Sequence, residues 1–300
     1  MDSRRMFLRR AALFLLAGLA LAGAAGLLAW VSHGFQSAAG WRSFFLILAV
    51  AAGLGWLSFW VFRAEGLPPW LVWLVIGAAA LRLALGAFWF AALPEWGYPN
   101  EVQQAGYVMF DPFLRDGKAW ELAQSGQPLT AAFQDYTSHD QYGGLLYFSA
   151  LIYRNLGGPE HLPLQVVAFG ALVSSLVVLF TWGFARRLWG AQAAAIAAWG
   201  LAFYPEAVFL GSSQMRETFT IPLGAALAFF LVRYWQDRRP ADLLRFGLLA
   251  LITGLITWAY LILLAVVLGL FMLGLWLEQR APLKLTLKRC LLYTSDAADE

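Results

Sequence analysis

The stretch LLRFGLLALITGLITWAYLILLAVVLGLFMLGLWL, residues 243–277, carries a single charged side chain, that of Arg245. A helix crosses a bilayer with roughly 20 mostly apolar residues, so this stretch is too long for one crossing. We expect two short membrane-spanning helices that divide near residues 258–260. The stretch therefore predicts a membrane protein built from helices.

The rest of the chain has the same character. Of its 300 residues, 61% are hydrophobic and 13% are charged. Soluble domains have roughly 45–50% hydrophobic and about 25% charged residues. This composition excludes an ordinary soluble domain and a disordered chain. Further spans are predicted at residues 11–31, 43–61, 69–92, 163–185, 188–210 and 218–232. The fold class is thus an all-α polytopic membrane protein with about eight transmembrane helices.

The basic residues predict an orientation. With the N-terminus in the cytoplasm, fifteen Lys and Arg residues fall on the cytoplasmic side and five on the outer side, while Arg82 lies within a span. Such a bias follows the positive-inside rule. We expect the protein to lie in the inner (cytoplasmic) membrane, with both termini on the cytoplasmic side. A cleaved twin-arginine export signal at residues 3–9 is the alternative for the N-terminus.

Residues 290–300 differ in character from the basic, apolar sequence before them. They resemble the translated read-through of a sequencing adapter, and we exclude them from the fold. The one cysteine, Cys290, lies there, so we expect no disulfide or thiol chemistry in the natural part of the chain. We also expect the natural protein to be cut short here, so that further helices are missing. The organisation is then a two-helix segment at 1–62, a transmembrane core at 63–289 and a non-native tail.

The segment 93–162 is the long connection between two spans, and it is predicted to lie outside the membrane. Connections of this length are usually functional or disordered, and the aromatic content of this one predicts order. Residues 116–124 are predicted to form a short helix. Residues 142–156 are predicted to form an amphipathic helix that lies along the membrane surface.

Several motifs in and after this outer loop follow one pattern. Asp111 precedes Ala119, Leu122 and the closing Gly126, and the later motifs are YRNLG at 153–157, ARRLWG at 185–190 and YPE at 204–206 followed by GSSQMRE at 211–217. The pattern resembles the bacterial GT-C-type integral-membrane glycosyltransferases, which are related to protein O-mannosyltransferases and aminoarabinose transferases. The resemblance covers residues 69–277. It departs from the family at DQYGG, residues 140–144, where many members carry a Pro-Pro-Tyr-like stretch.

The resemblance implies the transfer of a sugar from a polyprenyl-phosphate donor to a lipid, glycan or protein acceptor, with inversion at the anomeric carbon. A carboxylate near the membrane surface can accept the proton of the acceptor, and Asp111 is expected in this role. A guanidinium can neutralise the leaving lipid phosphate, and Arg216 is expected to do so together with Arg82. The implied partners are the donor, membrane lipid and an unknown acceptor, and no nucleic acid.

Asp116 is the second catalytic candidate, and the remaining expected substrate contacts are Glu217, Asp140 and Trp120. Each candidate has a structural alternative. Asp111 and Asp140 could cap helices, and Asp116 could pair with Arg115 or Lys118. Arg216 could instead reach the lipid head groups, and Glu217 could be favoured by the dipole of its helix. Arg82 could be anchored to an acid or to backbone carbonyls.

The three histidines, His33, His139 and His161, have no zinc-ligand spacing, so no metal site of that type is predicted. No cofactor is required by the motifs, although a divalent cation held by Asp111, Asp116 and Asp140 is left open. The alternative functions are a transporter or flippase for a lipid-linked or anionic solute, a non-catalytic membrane assembly protein, and a ligase that joins a lipid-linked polymer to an acceptor.

Overall fold

The computed structural model describes residues 2–33, 38–136 and 138–280. Within these ranges the chain forms helices and no strand, which confirms the all-α prediction. The α-helices are α1 (Asp2–His33), α2 (Ala38–Phe62), α3 (Pro69–Trp96), α4 (Glu101–Gln104), α5 (Phe110–Gln124), α6 (Gly144–Asn155), α7 (Leu164–Phe203), α8 (Pro205–Gly211), α9 (Glu217–Asp237) and α10 (Pro240–Arg280). Short 3-10 helices cover Arg63–Glu65 and Leu129–Phe133.

Six of the described helices, α1, α2, α3, α7, α9 and α10, are long and apolar enough to cross a membrane. Two of them are interrupted by residues with non-helical backbone angles. In α7 this residue is Gly190, with φ 87° and ψ −175°, and in α10 it is Thr257, with φ −164° and ψ 97°. Both interruptions lie close to predicted divisions between spans. The number of crossings and their orientation stay predictions.

The chain divides into two compact units, Met1–Trp258 and Ala259–Glu300. The described part of the second unit is the apolar continuation of α10 to Arg280. All of the candidate site residues belong to the first unit. The predicted adapter-derived tail, residues 290–300, lies outside the described residues.

The core of the first unit lies where α3, α7 and α9 pack together, with the end of α2 against them. Phe62, Trp182 and Phe229 are each at most 2% exposed, and the rings of Phe62 and Phe229 stack with centroids 4.4 Å apart. Gly183 of α7 faces these two rings with no room for a Cβ atom. The small residue thus lets α7 approach the aromatic layer closely.

The long loop at residues 93–162 packs into a second hydrophobic cluster. Ala119 and Leu122 of α5 and Leu146 of α6 are fully buried, and they share a cluster with Phe169 of α7 and Phe219 of α9. The loop is therefore ordered on the ends of the long helices, as its aromatic content predicts. We call this side of the bundle the loop end.

The two loop helices differ slightly from their predicted bounds. Helix α6, Gly144–Asn155, lies within the predicted 142–156. Helix α5 begins at Phe110 rather than at the predicted residue 116. Its first turn includes Pro112, and proline is compatible with a helix there because the first N–H groups have no intrahelical acceptor.

The glycine pair at the start of α6 lies against the chain's own backbone. Gly143 has φ 72°, in the left-handed region. A Cβ atom on Gly144 would overlap the carbonyl group of Leu255 in α10. Gly144 thus allows α6 to approach α10 closely, whereas a Cβ atom on Gly143 would meet the backbone of Ala132 and Phe133.

Candidate functional site

Arg115 of α5 is the centre of a group of charged residues at the loop end. Its side chain is 4% exposed, and its Nη2 donates a hydrogen bond to the backbone oxygen of Gln214. Burial lowers the pKa of Arg115, the charges of Asp140, Asp116 and Asp111 oppose this shift, and the charge of Arg216 adds to it. The charges of residues from α5, from the turn before α6 and from the start of α9 therefore act on one buried guanidinium.

Asp116 is fully buried beside Arg115 and accepts three side-chain hydrogen bonds. The hydroxyl groups of Tyr107 and Tyr153 each donate to it at 2.6 Å. The Nε2 atom of His161 lies 2.8 Å from its Oδ2. The sequence alternative of a pair with Lys118 is wrong, because Lys118 pairs with Glu121 instead. The charge of Asp116 does act on Arg115, whose Nη2 donates to the backbone of Gln214. Asp116 thus ties three separate parts of the loop together.

The two tyrosines of this cluster are held in their protonated form. Burial, followed by the charge of Asp116, raises the pKa of Tyr107 and of Tyr153 well above the ordinary value of about 10. Both hydroxyls therefore stay hydrogen-bond donors at neutral pH. Because ionisation would place a second negative charge beside a buried carboxylate, this network is sensitive to strongly alkaline conditions.

Trp120 belongs to the same cluster. Its ring stacks on the ring of His161, with centroids 5.3 Å apart and an angle of 20° between the planes. It also meets the ring of Tyr153 edge-on at 5.6 Å. The structure thus places Trp120, a predicted sugar contact, against the partners of Asp116.

Asp140 and Arg216 form an ion pair next to Arg115. Asp140 is 2% exposed, and its Oδ2 accepts the backbone N–H groups of Leu145 and Leu146 at 3.0 Å each. The predicted capping role of Asp140 is therefore observed at the start of α6. Its Oδ1 accepts from Nη2 of Arg216 at 3.1 Å.

Arg216 is held on a second side by Tyr142, whose ring centroid lies 4.8 Å from its guanidinium carbon. The Nε atom of Arg216 is buried and has no hydrogen-bond partner among the described residues. A guanidinium has five N–H donors. Arg216 is thus fixed in place while part of its donor capacity is unused.

Asp111 differs from the other carboxylates of the cluster. It lies in the first turn of α5, exposed to solvent, and the residue that precedes the helix is Met109. The sequence alternative that Asp111 is the N-cap is therefore wrong. Its carboxylate has no hydrogen bond or ion pair within the described ranges, so it is accessible from outside.

Arg82 is fully buried in α3 and bonds to backbone carbonyls. Its Nη1 donates to the oxygens of Ala78 at 3.0 Å and Ala202 at 3.4 Å, and its Nη2 donates to Leu201 at 3.1 Å. The carbonyls of Leu201 and Ala202 belong to the final turn of α7, where the carbonyl oxygens receive no hydrogen bond from within the helix. This geometry matches the alternative in which Arg82 anchors the backbone.

Arg82 and Glu217 line the same small cavity, together with Ser174 and Gly211. The Nε atom of Arg82 and the Oε2 atom of Glu217 are both buried without a partner in the described structure. Glu217 is the first residue of α9, where a carboxylate is favoured by the helix dipole. The two residues thus line one cavity, and Arg115, Asp116, Asp140 and Arg216 are not among its lining residues.

A second small cavity, of about 30 Å³, adjoins the charged group. Trp89, Tyr107 and Gln214 are among its lining residues. The indole N–H of Trp89 and the Oε1 of Gln214 have no partner there. One water molecule needs at least roughly 10–15 Å³, so the cavity accommodates one or two groups of that size.

The carboxylates and histidines do not form a metal site in the described part of the chain. No group of three or more His, Cys, Asp or Glu side chains is arranged there to hold a metal ion. Asp116 and Asp140 are instead occupied by tyrosine, histidine, backbone and arginine donors.

Several residues of the cluster were not expected from the sequence to be site residues, among them Arg115, Tyr153, His161 and Gln214. The sequence of α5 does contain a pattern that indicates the burial of Arg115. Its buried residues follow the helical repeat, so the charged pair at 115 and 116 lies on the apolar face. These buried residues are Pro112, Arg115, Asp116, Ala119, Leu122 and Ala123.

Comparison of the chain with known protein families, with curated proteins and with solved structures gives no match. The resemblance to GT-C-type enzymes therefore stays a prediction.

Proposed function

We propose that this protein is a membrane glycosyltransferase that moves a sugar from a polyprenyl-phosphate donor to an acceptor at the loop end. We also propose that this end faces the outside of the cytoplasmic membrane. The observation that carries the proposal is the ion pair between the buried Asp140 and Arg216, which lies, with Asp116 and Asp111, near enough to the buried Arg115 for all four charges to act on its pKa. A reaction that forms a lipid phosphate and releases a proton needs both charge types in one place.

Asp111 is the proposed general base. It is exposed and makes no hydrogen bond to the described residues around it, so an acceptor hydroxyl can reach its carboxylate. The acceptor oxygen attacks the anomeric carbon while the bond from that carbon to the phosphate oxygen breaks. The proton passes to Asp111, the electron pair of the broken bond leaves with the lipid phosphate, and the anomeric centre is inverted.

Arg216 is the proposed phosphate ligand. Its bond to Asp140 and its contact with Tyr142 fix the direction of its guanidinium. A guanidinium that is oriented beforehand binds phosphate with less loss of side-chain entropy. Arg82 is assigned no phosphate contact in this proposal, because its Nη atoms donate to backbone carbonyls.

The test is sugar transfer by membranes that contain the protein, with a panel of radiolabelled sugars linked to farnesyl phosphate. We expect Asp111→Asn to lower the transfer rate by roughly 10²–10⁴-fold, as for loss of a general base. The matched control is Asp135→Asn, since Asp135 is an exposed carboxylate of the same loop. Wild-type turnover in Asp111→Asn would contradict the assigned base.

Binding of farnesyl phosphate tests the role of Arg216 separately. We expect Arg216→Gln to weaken binding about tenfold or more, since hydrogen bonds to charged groups are the stronger ones. Arg42→Gln removes an exposed charge and is expected to leave binding unchanged. Unchanged binding in Arg216→Gln, together with no transfer of any sugar, would favour a transporter or an assembly protein over an enzyme.

A further inference from the structure

An apolar groove lies between α2, α7, α9 and the first part of α10, and the site residues around Arg115 are not among those that line it. Its volume is about 390 Å³, which is within the range of roughly 300–1,000 Å³ for small-ligand sites. Its walls include Leu57, Trp60, Phe180, Ala226, Phe230 and Ile252. The groove thus has the size and the apolar walls that suit a hydrocarbon chain.

One charged side chain, that of Arg245, is found among the described residues of the groove wall. Trp60 and Val61 mark the same end of the groove, because they precede the end of α2 at Phe62. Helix α3 begins near this end and runs to the loop end. The charged end of the groove and the site around Arg115 therefore lie at opposite ends of the bundle.

A network of ion pairs joins the helices at the Arg245 end. Arg187 pairs with Glu65 at 2.6 Å and with Asp237 at 3.0 Å. Asp242, which is fully buried, pairs with Arg233 at 2.9 Å and with Arg245 at 2.6 Å. The Asp242 carboxylate thus pairs with the guanidinium groups of two arginines.

The basic residues outnumber the acidic ones at this end. Residues 63–66, 186–187 and 233–245 hold seven arginines and three carboxylates. They are Arg63, Arg186, Arg187, Arg233, Arg238, Arg239 and Arg245, against Glu65, Asp237 and Asp242. The end of the groove therefore carries a positive charge that the protein itself does not neutralise.

Arg245 connects this excess charge to the groove. It donates through Nη1 to Asp242, and its side chain is 31% exposed. Within the described structure, its Nε and Nη2 atoms have no hydrogen-bond partner. Unused donors beside an apolar channel are the features that recognise a lipid head group and its chain together.

We propose that the groove binds one acyl chain of an anionic phospholipid whose phosphate pairs with Arg245. The charge excess decides between lipid classes, because a zwitterionic head group brings no net charge to compensate it. This site is independent of the proposed sugar transfer and lies in the opposite leaflet.

The test is lipid retention by the purified protein in mild detergent, measured by native mass spectrometry with equal amounts of phosphatidylglycerol and phosphatidylcholine of the same acyl length. We expect phosphatidylglycerol to be retained at least about fivefold more than phosphatidylcholine, and Arg245→Gln to remove this preference. The matched control is Arg239→Gln, which removes the same charge from an exposed side chain that does not line the groove.

A second variant tests the groove itself. Leu248 lines it and is 53% exposed, so Leu248→Trp can fill part of the channel without disturbing the buried core. We expect this variant to retain less of both lipids. Equal retention of the two lipids by the wild type, or equal losses in Arg245→Gln and Arg239→Gln, would overturn the proposal.

Discussion

Arg216 and Asp140, 76 positions apart in the chain, form an ion pair of 3.1 Å that joins the start of α9 to the start of α6. The same carboxylate accepts two backbone N–H groups of α6. The direction of the Arg216 guanidinium is therefore coupled to the position of the loop helix. A change at Asp140 should act on phosphate binding through Arg216.

The first prediction concerns Asp140→Asn. The asparagine oxygen can still cap α6, but the charge that holds Arg216 is lost. We expect farnesyl phosphate binding to weaken and the free energy of unfolding to fall by about 1–2 kcal/mol, a value reduced from that of buried pairs because Arg216 is partly exposed. Binding and chemical unfolding in detergent measure the two effects.

A double-mutant cycle separates this coupling from a general loss of stability. If Arg216 acts through Asp140, the double variant Asp140→Asn/Arg216→Gln binds no more weakly than Arg216→Gln alone. Additive losses of binding would show that the two residues act independently.

The second prediction concerns alkaline pH. The pKa values of Tyr107 and Tyr153 are raised in the folded protein, so the unfolded chain releases these protons first. The stabilisation is fully present below about pH 10 and is lost as the pH rises from there towards the folded pKa values. We expect the free energy of unfolding to decrease steeply between about pH 10 and pH 11.

Tyr153→Phe provides the comparison. It removes one ionisable donor of Asp116, so we expect lower stability at about pH 8, by about 1–3 kcal/mol, and a shallower decrease above about pH 10. The control is Tyr98→Phe, because Tyr98 is 74% exposed. An unchanged slope in Tyr153→Phe would mean that other groups cause the alkaline transition.

The long helices could be predicted from the sequence because apolar composition alone determines which segments can lie in lipid. The interruption of α7 was expected between residues 185 and 188, and it is at Gly190, where a positive φ requires a residue without a Cβ atom. The interruption of α10 was expected near residues 258–260, and it is at Thr257.

The partners of the site residues were much harder to predict. His161 is 45 positions from Asp116 and Tyr153 is 37, so no local spacing connects them. The Asp116 cluster depends on how α5 and α6 pack, which is a tertiary property. Asp111 and Asp116 have the same side chain and lie on one helix, but one is exposed and the other is fully buried.

The third prediction concerns the contact between α6 and α10. A Cβ atom on Gly144 would overlap the carbonyl of Leu255, and both atoms belong to backbones that cannot rotate away. We expect Gly144→Ala to destabilise the protein by about 1–3 kcal/mol, as for overpacking. Thermal unfolding in detergent measures the change.

Gly117→Ala is the matched control for this prediction. Gly117 lies within α5, and a Cβ atom added to it would have no neighbouring atom within 4 Å outside its own helix backbone. Alanine is favoured over glycine in a helix by roughly 0.5–1 kcal/mol, so we expect this variant to be slightly stabilised. Equal behaviour of the two alanine variants would contradict the close contact at Gly144.

The fourth prediction separates the two roles considered for Arg82. Because its Nη atoms donate to the carbonyls of Ala78, Leu201 and Ala202, Arg82→Met should leave the α7 carbonyls without donors. We expect the free energy of unfolding to fall by about 1–3 kcal/mol, while farnesyl phosphate binding by the folded fraction stays at the wild-type value. A variant with wild-type stability and weakened binding would assign Arg82 to the lipid phosphate. The comparison with Arg216→Gln separates the two roles. We expect Arg82→Met to lower the free energy of unfolding without weakening farnesyl phosphate binding, and Arg216→Gln to weaken that binding.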